Sequence, residues 1–113
     1  MAEWRFPDSP IPRFGEVWNA PSGSVLPGGM LCLVVSSDGY NRIRGQYIIV
    51  EVISERLSGD AILCDLGPVG VALTGAPFTV GPGWFAGADE PIAVLDERVA
   101  KRAADQIRAI LGP

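Results

Sequence analysis

Short apolar runs alternate with breaks rich in Gly and Pro along most of the chain. The runs at 15–19, 31–36, 47–53, 61–66 and 69–73 have the length of β-strands. The run YIIVEVI at 47–53 is also rich in β-branched residues, which favour strands. With 14 Gly and 10 Pro among 113 residues and no repeat, the pattern predicts many tight turns between five to seven short strands.

The end of the chain has a different periodicity. Asp96 is a natural N-cap, Gly112 followed by Pro113 is a stop signal, and one apolar stripe recurs at helical spacing: Val99, Ala103, Ile107, Ile110 and Leu111. The pattern therefore predicts a mainly β domain over 1–113, a strongly bent sheet or partly open barrel with a C-terminal helix. Residues 1–13 contain three prolines, which predicts an extended N-terminal arm.

Composition narrows the chemistry. The chain has no histidine, which excludes His-based acid–base catalysis, His-ligated metals and Ser-His-Asp or Cys-His arrangements. Cys32 and Cys64 lie inside apolar runs and are predicted to be buried, and a disulfide between them stays open. Asp89 and Glu90 form an isolated acidic pair in a loop, so no metal site is predicted. The chain shows no signal peptide and no apolar stretch of about 20 residues, which predicts a cytoplasmic protein without a membrane partner.

Arginine carries most of the positive charge, although the net charge is −4: eight of the nine basic residues are Arg. Arg42 and Arg44 lie in the predicted loop between the second and third strands, and Arg56 lies at the opposite end of the sheet. Guanidinium groups bind phosphate with two parallel hydrogen bonds, and Tyr40 or Trp18 could stack on a single-stranded base. The alternative is that these are ordinary solvated arginines.

Several segments occur in the order typical of the MazF/PemK toxin family. GEVW at 15–18, LVVSSDGYNR at 33–42 and VIS at 52–54 match a pattern that reads RGEVW, a Gly/Ser loop, RPVLVVSND…NR and a strand ending in Thr or Ser. The chain resembles this family over 13–57 and loosely in the last helix. The stretch 58–94 matches only by expected architecture.

The resemblance implies an SH3-like barrel that forms a homodimer and cleaves single-stranded RNA without metal or cofactor. It also implies a toxin–antitoxin system that restrains growth, with a cognate antitoxin as protein partner. Ser54 matches the catalytic hydroxyl, and Arg13 matches the arginine that often precedes GEVW. Met30 stands where the family has its catalytic arginine, and Leu31 replaces the following proline. The predicted catalytic residues are therefore Ser54 and Arg13. The predicted RNA contacts are Trp18, Ser22, Ser24, Asn41, Arg42, Arg44 and Arg56.

Other hypotheses remain open. Because Met30 removes a charge, the chain could instead be a catalytically weakened family member that acts as a protein-binding or regulatory module. Gyrase-poisoning toxins of the same fold depend on C-terminal aromatic residues, which 105–113 lacks. A generic small β-barrel with a coincidental motif match is the third hypothesis. The sequence favours an endoribonuclease.

Overall fold

A computed structural model describes residues 11–20, 29–54 and 62–112. Within these ranges the chain forms seven strands, two α-helices and two 3-10 turns. The strands are β1 (Glu16–Asn19), β2 (Leu31–Val34), β3 (Tyr47–Ile53), β4 (Cys64–Asp65), β5 (Val71–Ala72), β6 (Phe78–Val80) and β7 (Ala93–Val94). The helices are α1 (Asp38–Arg44) and α2 (Glu97–Ile110), and the 3-10 turns are Gly67–Val69 and Pro82–Phe85.

The strands form one curled antiparallel sheet in the order β4-β5-β3-β2-β1-β7, with β6 also paired to β3. The long strand β3 is the centre of the sheet: one edge pairs with β2, and the other pairs first with β6 and then with β5. This change of partner along one edge lets the sheet curl. Gly70 permits the close approach of β5, because its φ is +138° and a Cβ there would lie 2.4 Å from the Ile53 carbonyl oxygen.

Each face of the sheet carries its own hydrophobic cluster. The first cluster lies under α2 and contains, among others, Leu33, Val50, Val52, Cys64 and Ala103. The second lies on the other face, where Trp18 and Tyr47 meet the ring of Phe85 edge-on at centroid distances of 5.7 and 5.3 Å. The central strands are therefore covered from both sides, as the unbroken apolar run at 31–36 predicted.

Helix α2 confirms the prediction from periodicity. The Asp96 carboxylate accepts a hydrogen bond from the Arg98 amide at 2.8 Å, so it caps the helix as expected. Ala100, Ala103 and Ile107 form the buried stripe, whereas Ile110 and Leu111, which the periodicity placed in the same stripe, are exposed at the end of the helix. Among the residues with described positions, no helix combines the length and hydrophobicity needed to cross a bilayer.

The segment between β2 and β3 is a helix, and the prediction of a turn followed by a loop was wrong. Ser37 caps α1 by accepting from the Tyr40 amide at 3.1 Å, and Gly45 ends it in the left-handed conformation. Ser36 and Asn41 hold the helix against the sheet through a buried hydrogen bond between their side chains. Ser37-Asp38-Gly39 is a sequence typical of turns, but here its serine caps a helix.

The remaining predicted strands are present but shorter than their apolar runs. The run at 69–73 yields only β5, because Gly67 and Pro68 begin a 3-10 turn that extends to Val69. Phe85 belongs to the second cluster, and Phe78 and Trp84 pack against it. Most of the predicted N-terminal arm, residues 1–10, lies outside the described residues.

Candidate functional site

The hydroxyl of Ser54 lies at one end of the three central strands. Ser54 directly follows β3 at a bend and is exposed. Cys32 pairs with Glu51, so continuing the same antiparallel register brings Met30 and Gly29 opposite Ile53 and Ser54. The Ala20 amide donates to the Met30 carbonyl at 2.9 Å, which adds the end of β1. We call this region, formed by Asn19, Ala20, Met30 and Ser54, the serine end of the sheet.

Met30 is thus a neighbour of Ser54 across two adjacent strands. It is half-buried and uncharged. Because Ser54 lies at a bend beyond the last paired residue, the strict alternation of side chains between the two faces no longer applies there. The two positions that the resemblance pairs, Met30 and Ser54, are therefore adjacent, but the cation expected beside the hydroxyl is replaced by a thioether.

Arg13 lies at the opposite end. The Gly15 amide donates to the Val34 carbonyl at 2.9 Å, and Val34 pairs with Ile49, five residues before Ser54. Five residues of extended strand span about 17 Å, farther than an arginine side chain reaches. The structure does not bring Arg13 and Ser54 of one protomer together, and the catalytic role of each remains a prediction.

The Arg13 side chain forms an ion pair with Asp38. Its Nε and Nη2 are 3.4 and 3.3 Å from Oδ2 of Asp38, and the Phe14 amide donates to Oδ1 of the same carboxylate at 2.8 Å. Asp38 is the first residue of α1, so this contact joins the segment before β1 to that helix. The Arg13 side chain is 70% exposed, so the ion pair is solvent-screened and contributes little stability.

Arg42 and Arg44 are exposed in the last turn of α1, at the same end as Arg13. We call Arg13, Arg42 and Arg44 the basic end of the sheet. The prediction that Arg42 and Arg44 lie at one end of the β2–β3 pair is confirmed, although a helix carries them instead of a loop. The basic end is thus separated from the serine end by most of the length of β3.

Two predicted RNA contacts have packing roles in the structure. Trp18 is 3% exposed, packs against Phe85 and donates from Nε1 to Oε1 of Glu16 at 3.0 Å. Asn41 is 7% exposed and is hydrogen-bonded to Ser36. Neither side chain offers the open surface that stacking or base contact needs, because each fills a core position. Their predicted contact with RNA has no support in this arrangement. The predicted contacts Ser22, Ser24 and Arg56 lie outside the described residues.

Sequence reasoning did not single out Arg102, a cationic residue on the side of the sheet that leads to Ser54. Arg102 of α2 donates from Nη2 to the Asp65 carbonyl at 3.0 Å. Asp65 pairs with Val71, and Val71 pairs with Ile53, so these three residues form one row across the sheet. Two strand spacings, about 10 Å, separate the backbones of Asp65 and Ile53. Only the strand pairing reveals this relation, since 49 residues of sequence separate Ile53 from Arg102.

Both cysteines are buried, so neither offers the exposed thiol that nucleophilic or redox chemistry needs. Cys32 is fully buried, and its thiol donates a long hydrogen bond of 3.6 Å to the Trp18 carbonyl. Burial raises the pKa of the Cys32 thiol to about 11, with a smaller opposing effect from the nearby Trp84 indole. Cys64 is also free and buried, in the cluster on the other face.

In the described ranges no cluster of three or more acidic or cysteine side chains could hold a metal ion.

Comparison with solved structures defines the class of fold. The curled half-barrel with one C-terminal helix is the architecture of toxin endoribonucleases, and specifically it is the MazF fold. A MazE-MazF complex from Deinococcus radiodurans contains a chain that matches at 24% identity with a TM-score of 0.68, covering 90% of this chain and 96% of that one. No protein-family model and no curated protein sequence matches the chain.

A second group of similar structures is mycobacterial. An endoribonuclease from a mycobacterial species matches at 16% identity with a TM-score of 0.69, covering 91% of this chain and 93% of that one. A mycobacterial endoribonuclease in complex with its cognate antitoxin matches at 16% identity with a TM-score of 0.67, covering 90% and 94%. At these identities the likeness establishes the fold, and this confirms the architecture that the resemblance implied.

Proposed function

We propose that this protein is a toxin-type endoribonuclease that cleaves single-stranded RNA without a metal ion and is neutralised by a cognate antitoxin. The observation that carries the proposal is the exposed hydroxyl of Ser54 at the serine end of a MazF fold. The similar structures include an endoribonuclease and complexes with antitoxins, which support both parts of the proposal.

The chemistry requires few groups. When the ribose 2′-hydroxyl attacks the neighbouring phosphate, its proton passes to solvent and negative charge develops on the phosphoryl oxygens. The bond from phosphorus to the 5′-oxygen of the next nucleotide then breaks, and that oxygen takes up a proton from solvent. Hydrogen-bond donors and guanidinium groups aimed at that charge lower the barrier, and neither histidine nor metal is needed. In this proposal the Ser54 hydroxyl donates to a phosphoryl oxygen. The exposed Arg42 and Arg44 bind backbone phosphates farther along the strand.

The proposal includes a homodimer. Several large apolar side chains are exposed in the isolated protomer: Ile92 and Val94 beside the edge strand β7, and Ile110 and Leu111 at the end of α2. Exposed apolar residues of this kind are a typical surface for a symmetric partner. The separation of Arg13 from Ser54 gives the dimer a further role, because Arg13 can approach a phosphate held by Ser54 only from a second protomer.

A second candidate function is a catalytically weakened protein that acts by binding another protein. Met30 beside Ser54 favours it, because the position next to the hydroxyl supplies no positive charge. Loss of one charge-stabilising donor typically lowers the rate of an enzyme about 10²- to 10³-fold. In this case the protein retains the antitoxin interaction but shows little cleavage.

The test is a cleavage assay with purified full-length protein and long single-stranded RNA, with and without EDTA. We expect cleavage that EDTA does not suppress and that Ser54→Ala abolishes. The matched control is Ser37→Ala, which removes another exposed serine hydroxyl at the opposite end of the sheet and leaves cleavage intact. Absence of cleavage by the wild type under both conditions, together with capture of a protein partner, would contradict the nuclease and support the second candidate.

A further inference from the structure

A groove runs between helix α2 and strand β4, on the side of the sheet that leads to Ser54. Its volume is about 1000 Å³, at the upper end of the usual range for small-ligand sites, and it is open to solvent. The buried Leu66 and the half-buried Val99 give it apolar surface, and the exposed Arg102 gives it a positive charge. The groove therefore combines a cation with an apolar surface.

Strand register connects this groove to Ser54. Val71 pairs with Ile53 on one side and with Asp65 on the other. Continuing both antiparallel registers by one residue places Gly70 between Ser54 and Leu66, and the Leu66 amide donates to the Gly70 carbonyl at 2.9 Å. Because the middle position of this row is a glycine, the row places no side chain between the serine and the groove.

The charge of Arg102 is available to a ligand. Its Nη2 donates to the backbone carbonyl of Asp65 at 3.0 Å, and it forms no ion pair with a carboxylate of the described residues. The two acidic residues of the groove are engaged elsewhere: Asp105 pairs with Arg108 at 2.8 Å, and the Asp65 carboxylate accepts from the Gly67 amide at 2.8 Å. A guanidinium that is oriented through one nitrogen keeps further N–H donors for a phosphate.

We propose that this groove is a nucleotide subsite of the RNA-binding surface. Arg102 binds a backbone phosphate, and the attached base lies on the apolar surface of Leu66 and Val99. Because about 10 Å separates the backbones of Asp65 and Ile53, the phosphate on Arg102 is a neighbour of the scissile one and not the scissile one itself. This inference rests on the proposed endoribonuclease function. A nucleotide suits the groove because it carries an anion and an apolar face together.

The experiment measures RNA binding by Arg102→Gln over a range of salt concentrations. The probe is a single-stranded RNA containing the mapped wild-type cleavage site, made non-cleavable by a 2′-deoxy substitution at the scissile nucleotide. We expect about tenfold weaker binding at low salt, as for the loss of one charge-assisted hydrogen bond. The slope of log affinity against log salt should also decrease in magnitude by about 0.7, the value for one phosphate contact to a single strand.

The matched control is Lys101→Gln, which removes the neighbouring exposed cation of the same helix. Lys101 does not line the groove, so this variant should keep the wild-type salt slope and lose little affinity. Arg102→Lys keeps the charge but not the planar fork, so we expect it to recover the slope and only part of the affinity. RNAs shortened by one nucleotide at a time locate the contact, because losing the bound nucleotide weakens the wild type but not Arg102→Gln.

A second control tests whether Arg102 acts only by holding α2 against β4. The buried Thr74 hydroxyl donates to the Gln106 carboxamide oxygen at 2.7 Å, and Gln106 Nε2 donates to the Leu63 carbonyl at 3.1 Å. Thr74→Val loosens this companion contact of α2 without changing the charge of the groove. We expect a lower melting temperature but wild-type RNA affinity at temperatures where the variant is folded.

The outcomes separate the subsite from the proposed function. A wild type that neither binds nor cleaves RNA refutes the proposed function, and the inference falls with it. An active wild type for which Arg102→Gln binds RNA like Lys101→Gln, with the same salt slope, refutes only the subsite. Equal losses of RNA affinity in Thr74→Val and Arg102→Gln assign Arg102 to the fold and also overturn the inference.

Discussion

Replacing Met30 by arginine tests directly whether this fold retains a latent catalytic geometry. Met30 lies opposite Ile53, one residue from Ser54, on the β2–β3 pair and is half-buried, so a longer side chain there can extend toward solvent and reach a phosphate beside the hydroxyl. One correctly aimed donor at a developing oxyanion contributes about 2.7–4 kcal/mol, which corresponds to about 10²- to 10³-fold in rate. We therefore expect Met30→Arg to raise the RNA cleavage rate by up to that factor.

The assay compares initial cleavage rates of wild type, Met30→Arg and Met30→Gln on one RNA, with growth inhibition on induction as a second readout. The glutamine variant is the matched control, because it is polar and of similar length but carries no charge. The gain must also disappear in the Met30→Arg, Ser54→Ala double variant. A folded Met30→Arg protein with a rate equal to that of Met30→Gln would refute the view that Met30 and Ser54 flank one phosphate.

Two further predictions concern stability. Ser36→Ala should lower the free energy of unfolding by about 2–4 kcal/mol, and urea unfolding measures this loss. The substitution removes the hydroxyl that accepts from the Ile48 amide at 2.9 Å and that bonds to the Asn41 amide oxygen, so both groups lose their partner. The raised pKa of Cys32 makes stability depend on alkaline pH. Well below its ordinary pKa of 9.0 the thiol is protonated in both the folded and the unfolded states. As pH rises through that value toward 11 the unfolded chain loses the proton first, so we expect a loss of about 2–3 kcal/mol that is absent in Cys32→Ala.

Each of these predictions has an internal control. Ser37→Ala removes an exposed N-cap next to Ser36 and should cost only about 1 kcal/mol, so equal losses for the two variants would refute the importance of the buried network. For Cys32, wild-type protein and Cys32→Ala with the same stability slope between pH 9 and 11 would contradict the argument. Rapid modification of Cys32 by a thiol reagent at pH 8 in the native protein would contradict its burial.

The sequence predicted those features that local pattern controls. The strand over 47–53 and the helix capped by Asp96 have strong periodicity and clear end signals, and both were correct in type and position. Helix α1 was missed because seven residues carry too little periodicity, and its Gly39 and Ser37 are also common in turns. Gly45 was the available signal, since a glycine at that point ends helices in the left-handed conformation.

The site was predictable only in part, because its assembly depends on strand register. Ser54 could be placed at a strand end from the sequence, and the motif order pointed to Met30 as its neighbour. The separation of Arg13 from Ser54 by most of the length of β3, and the relation of Arg102 to that side of the sheet, follow from pairings between distant segments.

The two separate clusters on opposite faces of the central sheet have a consequence for how such a protein can diverge. Because each central strand is covered on both faces along its length, a half-buried or exposed residue at its end, such as Met30 or Ser54, can be exchanged with less effect on the core. A methionine can therefore occupy a position expected to hold a guanidinium while the scaffold persists. The scaffold can thus be kept while the side chains at the ends of its strands change.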